Sequence, residues 1–400
     1  IVYGATGFTG TLVAEYLLRQ YGLNGDLKWS IAGRSASKLE SVKESLGEDA
    51  ADLEVTVADS GDQGALAALA SRTRVVITTV GPYALYGSNL VSACVEAGTD
   101  YCDLAGEVQW IRKMVDKHHE RAQETGARIV HCCGFDSIPM DMGVFFLQQA
   151  AREQHGSYCR SIALFVKATK GTASGGTIAS MMNIIEEAKG DRSIARMMAN
   201  PYALNPEGER EGPDERDQQK VLHDPVAARW TAPFVMAGVN TRVVRRSHAL
   251  AGYPYGRDFR YRESVLTGKG IGGWLKGTMM TLGLGALVVG ISFRPTRKLL
   301  QRFVLPKPGD GPSRELQQTG FFNLMQIGEL EDGRVLRTRI TGDQDPGYGS
   351  TSKMLAEAAV CLAHDDLDTS GGVLTPAFAM GDKLLARLRK NAGLTFDVVD

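Results

Sequence analysis

The 400-residue chain has little that would let metal, disulfide or bulk charge explain it. Its six cysteines, Cys94, Cys102, Cys132, Cys133, Cys159 and Cys361, include no C-x-x-C pair, which removes zinc-ribbon and dithiol redox motifs. The seven histidines show no H-E-x-x-H spacing, so no metal is expected. Reduced thiols and a cytoplasmic setting are expected from the same cysteine pattern. A formal net charge of -1 gives no field to gather nucleic acid, and any charged partner must be met by a local patch. No basic-apolar-small leader opens the chain. It starts on Ile1-Val2-Tyr3, which reads as the inside of a strand, and native residues are expected to precede it.

What is present is an ordinary globular composition, 43% hydrophobic and 23% charged, with length for two domains. Strand-like runs at Ile1 to Tyr3, Trp29 to Ala32, Leu53 to Val57, Arg74 to Thr79, Tyr101 to Leu104 and Arg128 to Cys132 alternate with helical spacing. The helical stretches include Thr9 to Tyr21, Ser37 to Leu46, Leu90 to Ala97 and Gln109 to Glu124. Alternation of this kind predicts an α/β fold with a Rossmann-like, doubly wound parallel sheet. Ligands of such sheets bind at the carboxyl ends of the strands, so the loops after strands one, two and four are the informative ones.

After strand one comes GATGFTG, Gly4-Ala5-Thr6-Gly7-Phe8-Thr9-Gly10. Its glycines are three apart rather than in the G-x-G-x-x-G pattern. Gly4 permits the tight turn, Gly7 lets a pyrophosphate reach the helix N-terminus, and Gly10 lets the helix pack on the sheet. After strand two an NAD site would carry an acidic residue for the ribose 2′-hydroxyl; this chain has Gly33-Arg34-Ser35. Arg34 can pair a 2′-phosphate through its planar fork, with Ser35 and Lys38 as further donors, so NADP is the expected cofactor. Asp59, beyond strand three, either meets the adenine amino group or caps the next helix.

The loop after strand four, TTVGPYALYG, belongs at the nicotinamide end of the groove. Thr78, Thr79, Gly81 and Pro82 form a backbone turn against the cofactor, and Tyr83 and Tyr86 either donate a proton or pack under the next helix. Asp136 and Ser137, at the end of strand six, are further proton-donor candidates or cap the helix before Pro139. None of the twelve tyrosines has a lysine four residues later, which argues against the Tyr-x-x-x-Lys chemistry of short-chain reductases.

In this order, GATGFTG, AGRS, TTVGPYALYGSNLVSACVEAGTDYCDLAGE and GFDSIPMDMG resemble the saccharopine dehydrogenase-like oxidoreductases. VNTRVVRRS, PKPGDGPSR and GGVLTPAFAMGD are most similar to the trans-acting enoyl reductase branch, and the likeness runs from Val2 to about Arg389. The resemblance implies an NADP-dependent reductase of fatty-acyl or polyketide enoyl thioesters, serving a synthase or carrier protein in lipid and fatty acid biosynthesis. It leaves two alternatives: a carbon-nitrogen or carbonyl oxidoreductase, and a non-catalytic NADP-binding protein at a lipid surface. No residue set marks recognition of two amino-acid carboxylates, so saccharopine itself is not the expected substrate.

The expected organisation is a cofactor domain over 1–150, an α+β substrate or dimerisation domain over 151–345, and C-terminal helices over 346–400 that return to the first domain. Gly171, Gly175 and Gly176 either line a substrate pocket with a helix N-terminus facing an oxyanion or simply enter a helix. Asn205 to Gln219 reads as a mobile polar excursion. Asn240 to Ser264, with six arginines among aromatics, reads as a basic strand pair for a carrier phosphate, an acidic protein or a lipid surface, or as ordinary sheet cover. Within the apolar segment 271–293, Gly277 to Phe293 is uncharged and is followed by Arg294, Arg297, Lys298 and Arg302. An interfacial anchor for peripheral membrane contact or a buried helix in a homodimer core fits it better than a full crossing. Gln317 to Thr341 reads as a hairpin around Glu331-Asp332-Gly333, and Tyr348 to Ala363 and Pro376 to Leu388 as amphipathic helices.

Overall fold

Short runs of apolar residues become central strands here because both faces are covered; Val75–Thr78, for example, is buried at every residue. In this computed structural model, all residues but 173, 304, 306–308 and 310 are described, so Pro306, Lys307, Pro308 and Asp310 of the PKPGDGPSR motif lie outside the described residues. The first unit runs β1 (Val2–Tyr3), α1 (Phe8–Tyr21), β2 (Ile31–Gly33), α2 (Ala36–Leu46), β3 (Val55–Val57), α3 (Gln63–Ala70) and β4 (Val75–Thr78). It continues through α4 (Tyr83–Tyr86), α5 (Ser88–Ala97), β5 (Asp100–Cys102), α6 (Val108–Thr125), β6 (Arg128–Val130) and α7 (Ile138–His155). Pro139 in the first turn of α7, Asp141 beside it and Arg152 and His155 in the last turn all suit that helix's direction.

The second unit contains β7 (Ser161–Lys170), α8 (Gly175–Gly190), α9 (Arg192–Met198), β8 (Leu222–Asp224), β9 (Arg229–Ala232), α10 (Ala237–Leu250) and β10 (Arg260–Gly268). After it come α11 (Gly270–Ser292), α12 (Arg294–Phe303), α13 (Arg314–Thr319), β11 (Phe321–Glu329) and β12 (Val335–Gly342). The chain ends with α14 (Gly349–His364), β13 (Gly372–Leu374), α15 (Pro376–Asn391) and β14 (Leu394–Val399). Two seven-stranded sheets result, with orders β13-β6-β5-β4-β1-β2-β3 and β14-β12-β11-β7-β10-β9-β8. Every pairing in the first sheet is parallel, as expected of a doubly wound sheet. In the second, only β7 and β10 run parallel.

Four expectations change. The C-terminal region returns to the first unit as a strand as well as helices, since GGVL pairs as β13 beside β6, and β14 then closes the edge of the second sheet on β12. The helix α14 is buried from Gly349 to Leu362 and so is not amphipathic; its polar Glu357 is taken up by the Tyr16 and Tyr21 hydroxyls, each at 2.6 Å. Asn240 to Ser264 is no strand pair: its first part is α10, and Arg242, Arg245 and Arg246 are buried there. The polar loop expected to be mobile supplies their counter-charges, Asp217 to Arg242 and Asp214 to Arg245, while Arg246 donates to the carbonyls of Leu204 and Val373. Those arginines are structural, because their buried guanidinium groups are held by acids and carbonyls of the protein itself.

Candidate active site

At the carboxyl edge of the parallel sheet, β1 ends at Tyr3 and Gly4 takes φ +89, a region that favours glycine. A Cβ there would lie 2.6 Å from Val80 Cγ2, and one on Gly10 would lie 2.2 Å from the Gly4 carbonyl oxygen. Ala5 is buried beneath the turn, Thr6 and Thr9 are part-exposed, and Phe8 meets the ring of Tyr348 edge-on at 4.9 Å. Gly7 differs from its two neighbours: it is exposed, and its nearest outside atom would be 3.4 Å from a Cβ. Internal packing does not require Gly7 to be small. As the N-cap of α1 it offers no capping side chain, so the first-turn N–H groups of α1 face outward unsatisfied by any cap. That cradle fits a diphosphate.

Beyond β2, Arg34 is exposed and makes no ion pair or hydrogen bond among the described residues. Its fork is free to take a phosphate. Lys38 is exposed nearby, whereas the Ser35 hydroxyl caps α2 by accepting from the Lys38 N–H at 3.5 Å. Asp59 turns its carboxylate onto the Gly61 N–H at 2.8 Å, and the residue that caps α3 is Asp62, accepting from Ala65.

The turn after β4 is tightly held. Thr78 accepts from the Val80 N–H, Thr79 donates to the Gly4 carbonyl at 3.1 Å, and Gly81 and Pro82 lead into α4. Glu107, unanticipated as a site residue though it closes the DLAGE motif, accepts from the Tyr83 and Ala84 N–H groups at 2.7 and 3.0 Å and from Ser180 at 2.8 Å. It thus ties α8 to this turn. Burial raises its pKa above the usual carboxylate range, with those hydrogen bonds opposing the shift.

The structure places Tyr83 in the interior, in the packing arrangement that is one of its two readings. Its buried hydroxyl donates to the Thr78 carbonyl and accepts from the Leu104 N–H, both at 3.1 Å, its ring stacks on Trp110, and burial pushes the phenol well up. Both hydrogen bonds hold the hydroxyl in the interior, against the backbone of Thr78 and Leu104. Tyr86 is exposed on α4. Ser137 is buried with its hydroxyl 3.3 Å from Asn240 Oδ1, and it makes no side-chain cap to α7 although it occupies the N-cap position. Asp136, beside it, is part-exposed, has no hydrogen-bond partner among the described residues, and is raised by burial to about 6.

Behind Ser137 lies a polar network that begins at Asn240 of the VNTRVVRRS motif. Asn240 donates to Glu263 at 2.9 Å, Tyr261 donates to the other Glu263 oxygen at 2.9 Å, and burial raises that carboxyl to about 8. Asp103 at the end of β5 is equally hidden, accepting from the Tyr101 hydroxyl and facing His131 Nδ1 at 2.7 Å. Of the Gly171, Gly175 and Gly176 loop, the Gly175 N–H donates to the Tyr348 hydroxyl at 3.1 Å, and Ser174 caps α8 by accepting from the Thr177 N–H. A separate cavity of about 300 Å³, lined by Tyr202, Arg245, His248, Tyr253 and Phe259 among others, touches none of the strand-edge residues.

A glycine cradle at an uncapped helix N-terminus, one strand from a free arginine on a doubly wound parallel sheet, defines an NADP-dependent oxidoreductase, and the comparisons agree. The family model described as "Saccharopine dehydrogenase NADP binding domain" matches residues 1–130. A Mycobacterium tuberculosis (strain H37Rv) protein, named provisionally as a trans-acting enoyl reductase, is 42% identical over 403 residues, 97% of this chain and 94% of its own. The trans-acting enoyl reductase of Mycobacterium bovis BCG is 39% identical over 402 residues, with the same shares covered. Among solved structures, saccharopine dehydrogenase (L-Glu forming) from Saccharomyces cerevisiae shares the fold at TM-score 0.55 and 13% identity, covering 100% of this chain and 99% of that one. The chain belongs to the saccharopine dehydrogenase-like family, in the branch whose relatives are named trans-acting enoyl reductases.

Proposed function

We propose that this oxidoreductase reduces the α,β-unsaturated bond of an acyl thioester presented by a synthase or carrier protein. The support is the near-full-length likeness to proteins named trans-acting enoyl reductases, together with a strand edge that keeps one acid uncommitted. NADPH supplies hydride to the β-carbon. The chain's own part is to hold the diphosphate on the Gly4 to Gly10 turn and α1, to hold the 2′-phosphate on Arg34 and Lys38, and to shape the nicotinamide side with Gly81 and Pro82. Protonating the α-carbon then needs an acid that is neutral near working pH. Burial alone raises the Asp136 carboxyl to about 6, which leaves it protonated more often than an ordinary carboxylate and makes it the first candidate; Tyr86 is the second candidate.

The observation that carries the site assignment is the contrast between Asp136 and Tyr83, two groups at one sheet edge of which one is unbonded and the other fully bonded. The test is NADPH oxidation with enoyl thioesters set against imines and ketones. Turnover confined to enoyl thioesters is expected. Turnover with imines or ketones and none with enoyl thioesters would overturn the reading.

A further inference from the structure

From Lys269 to Phe303 the chain carries Lys269, Lys276, Arg294, Arg297, Lys298 and Arg302 and no aspartate or glutamate. This stretch folds as α11 and α12. By length and composition α11 could cross a membrane, with 23 residues and a mean hydropathy of 1.4 in its apolar window, yet 11% of that window is buried. The core of a soluble protein would hide such a helix. Instead Ile271 is 83% exposed, Met279 67% and Leu282 68%, and Val289, Phe293, Leu299 and Phe303 are exposed beyond them. An apolar surface of this extent marks a contact site rather than ordinary exposure.

Both ends of α11 are fastened to protein. Near its start, a Cβ on Gly273 would lie 2.5 Å from the Gly268 carbonyl, and one on Gly277 would lie 3.1 Å from Thr267 Oγ1. Near its end, the Ile291 carbonyl accepts from Arg297 at 2.9 Å and the Ser292 carbonyl accepts from Lys189 of α8. Crossing a bilayer would tear the helix from β9, β10 and α8. A helix held lengthwise can only lie in the plane of a surface.

We infer that α11 and α12 form a monotopic docking surface for an anionic lipid bilayer, with the apolar side chains entering the acyl boundary and the cations at the headgroups. Charge decides against a second copy as the occupant: Glu186 meets Arg294 and Arg297, but the same patch against itself would still set Lys269, Lys276, Lys298 and Arg302 facing their own copies with no acid within 269–303. The surface is also linked to the crevice. Glu186 and Lys189 of α8 hold Arg297 and Ser292, Ser180 of the same helix bonds Glu107 under the turn after β4, and a Cβ on Gly311, after α12, would lie 2.0 Å from Phe8 of the glycine turn. Docking therefore sets the crevice beside the bilayer; that this presents an acyl substrate rests on the function proposed above, whereas lipid binding itself does not.

The test is flotation of the full chain with phosphatidylcholine vesicles, with and without phosphatidylglycerol, at low and high salt. Flotation with the anionic vesicles is expected, weakened about tenfold or more by high salt or by omitting phosphatidylglycerol. The double change Met279→Glu with Leu282→Glu should abolish it, and Arg294→Ser with Lys298→Ser and Arg302→Ser should lower it to the neutral-lipid level, with NADPH titration reporting that each variant is folded. Wild type that binds NADPH but does not float with anionic vesicles overturns the inference. So does a soluble dimer that Met279→Glu with Leu282→Glu converts to monomer while no flotation is seen. Flotation without any enoyl reduction upholds the lipid surface and removes only the substrate reading.

Discussion

Arg245 lies buried on α10, with its fork on Asp214, the Pro201 carbonyl and the Tyr261 carbonyl. Arg34, at the end of β2, is exposed and makes no ion pair or hydrogen bond among the described residues. In the sequence Arg34 is the better-marked candidate, because it stands where an acid would at a fixed offset from a strand, whereas the six arginines among aromatics around Arg245 read equally well as sheet cover. The difference lies in where the counter-charges are. Asp214 and Asp217 sit in a polar loop some thirty residues upstream (about one supersecondary unit), and once the chain folds they neutralise Arg245 and Arg242. Arg34 has no such partner. An arginine kept unpaired at a strand edge is available to a ligand, whereas one satisfied in the interior holds elements together.

The comparison is broken most forcefully at Arg245. Arg245→Met should cost about 3–5 kcal/mol, because Asp214 would be left without its partner in a poorly solvated site; chemical denaturation checks this, and unchanged stability would return Arg245 to the candidate binding residues. Next in size is Asp136→Asn, expected to lower turnover by about 10²–10⁴ while leaving NADPH affinity unchanged. The sign in pH follows from the raised pKa: a proton donor at about 6 is loaded below that value and empty above it, so wild-type activity should fall as pH rises through 6. A pH–rate profile of wild type and variant reads both effects, and an unaltered fall above pH 6 in Asp136→Asn would pass the role to Tyr86.

The parallel sheet was legible because its strands are short, apolar and separated by helical spacing, signals that are local in the chain. Its seventh strand was not, since Gly372–Leu374 lies outside the alternating stretch, after β7 to β12 of the second sheet in the chain, and joins the first sheet only by pairing with β6. The same limit applies at the site. GATGFTG and Arg34 could be read because glycine and an arginine replacing an acid carry meaning at fixed offsets from a strand. Tyr83 could not be sorted from Tyr86, because what distinguishes them is burial and the backbone groups of Thr78 and Leu104. Glu107 and Glu263 were missed for a related reason: each becomes notable only when folding removes it from water and aims donors at it.

The measurement that most directly tests the central claim is titration of NADPH and NADH against wild type and Arg34→Ala. Wild type should prefer NADPH, and the variant should lose about tenfold to hundredfold for NADPH, the worth of a charge-assisted pair, with NADH binding and stability unchanged. Equal affinity for the two cofactors in wild type, unaltered in Arg34→Ala, would contradict the assignment of the 2′-phosphate to this strand edge.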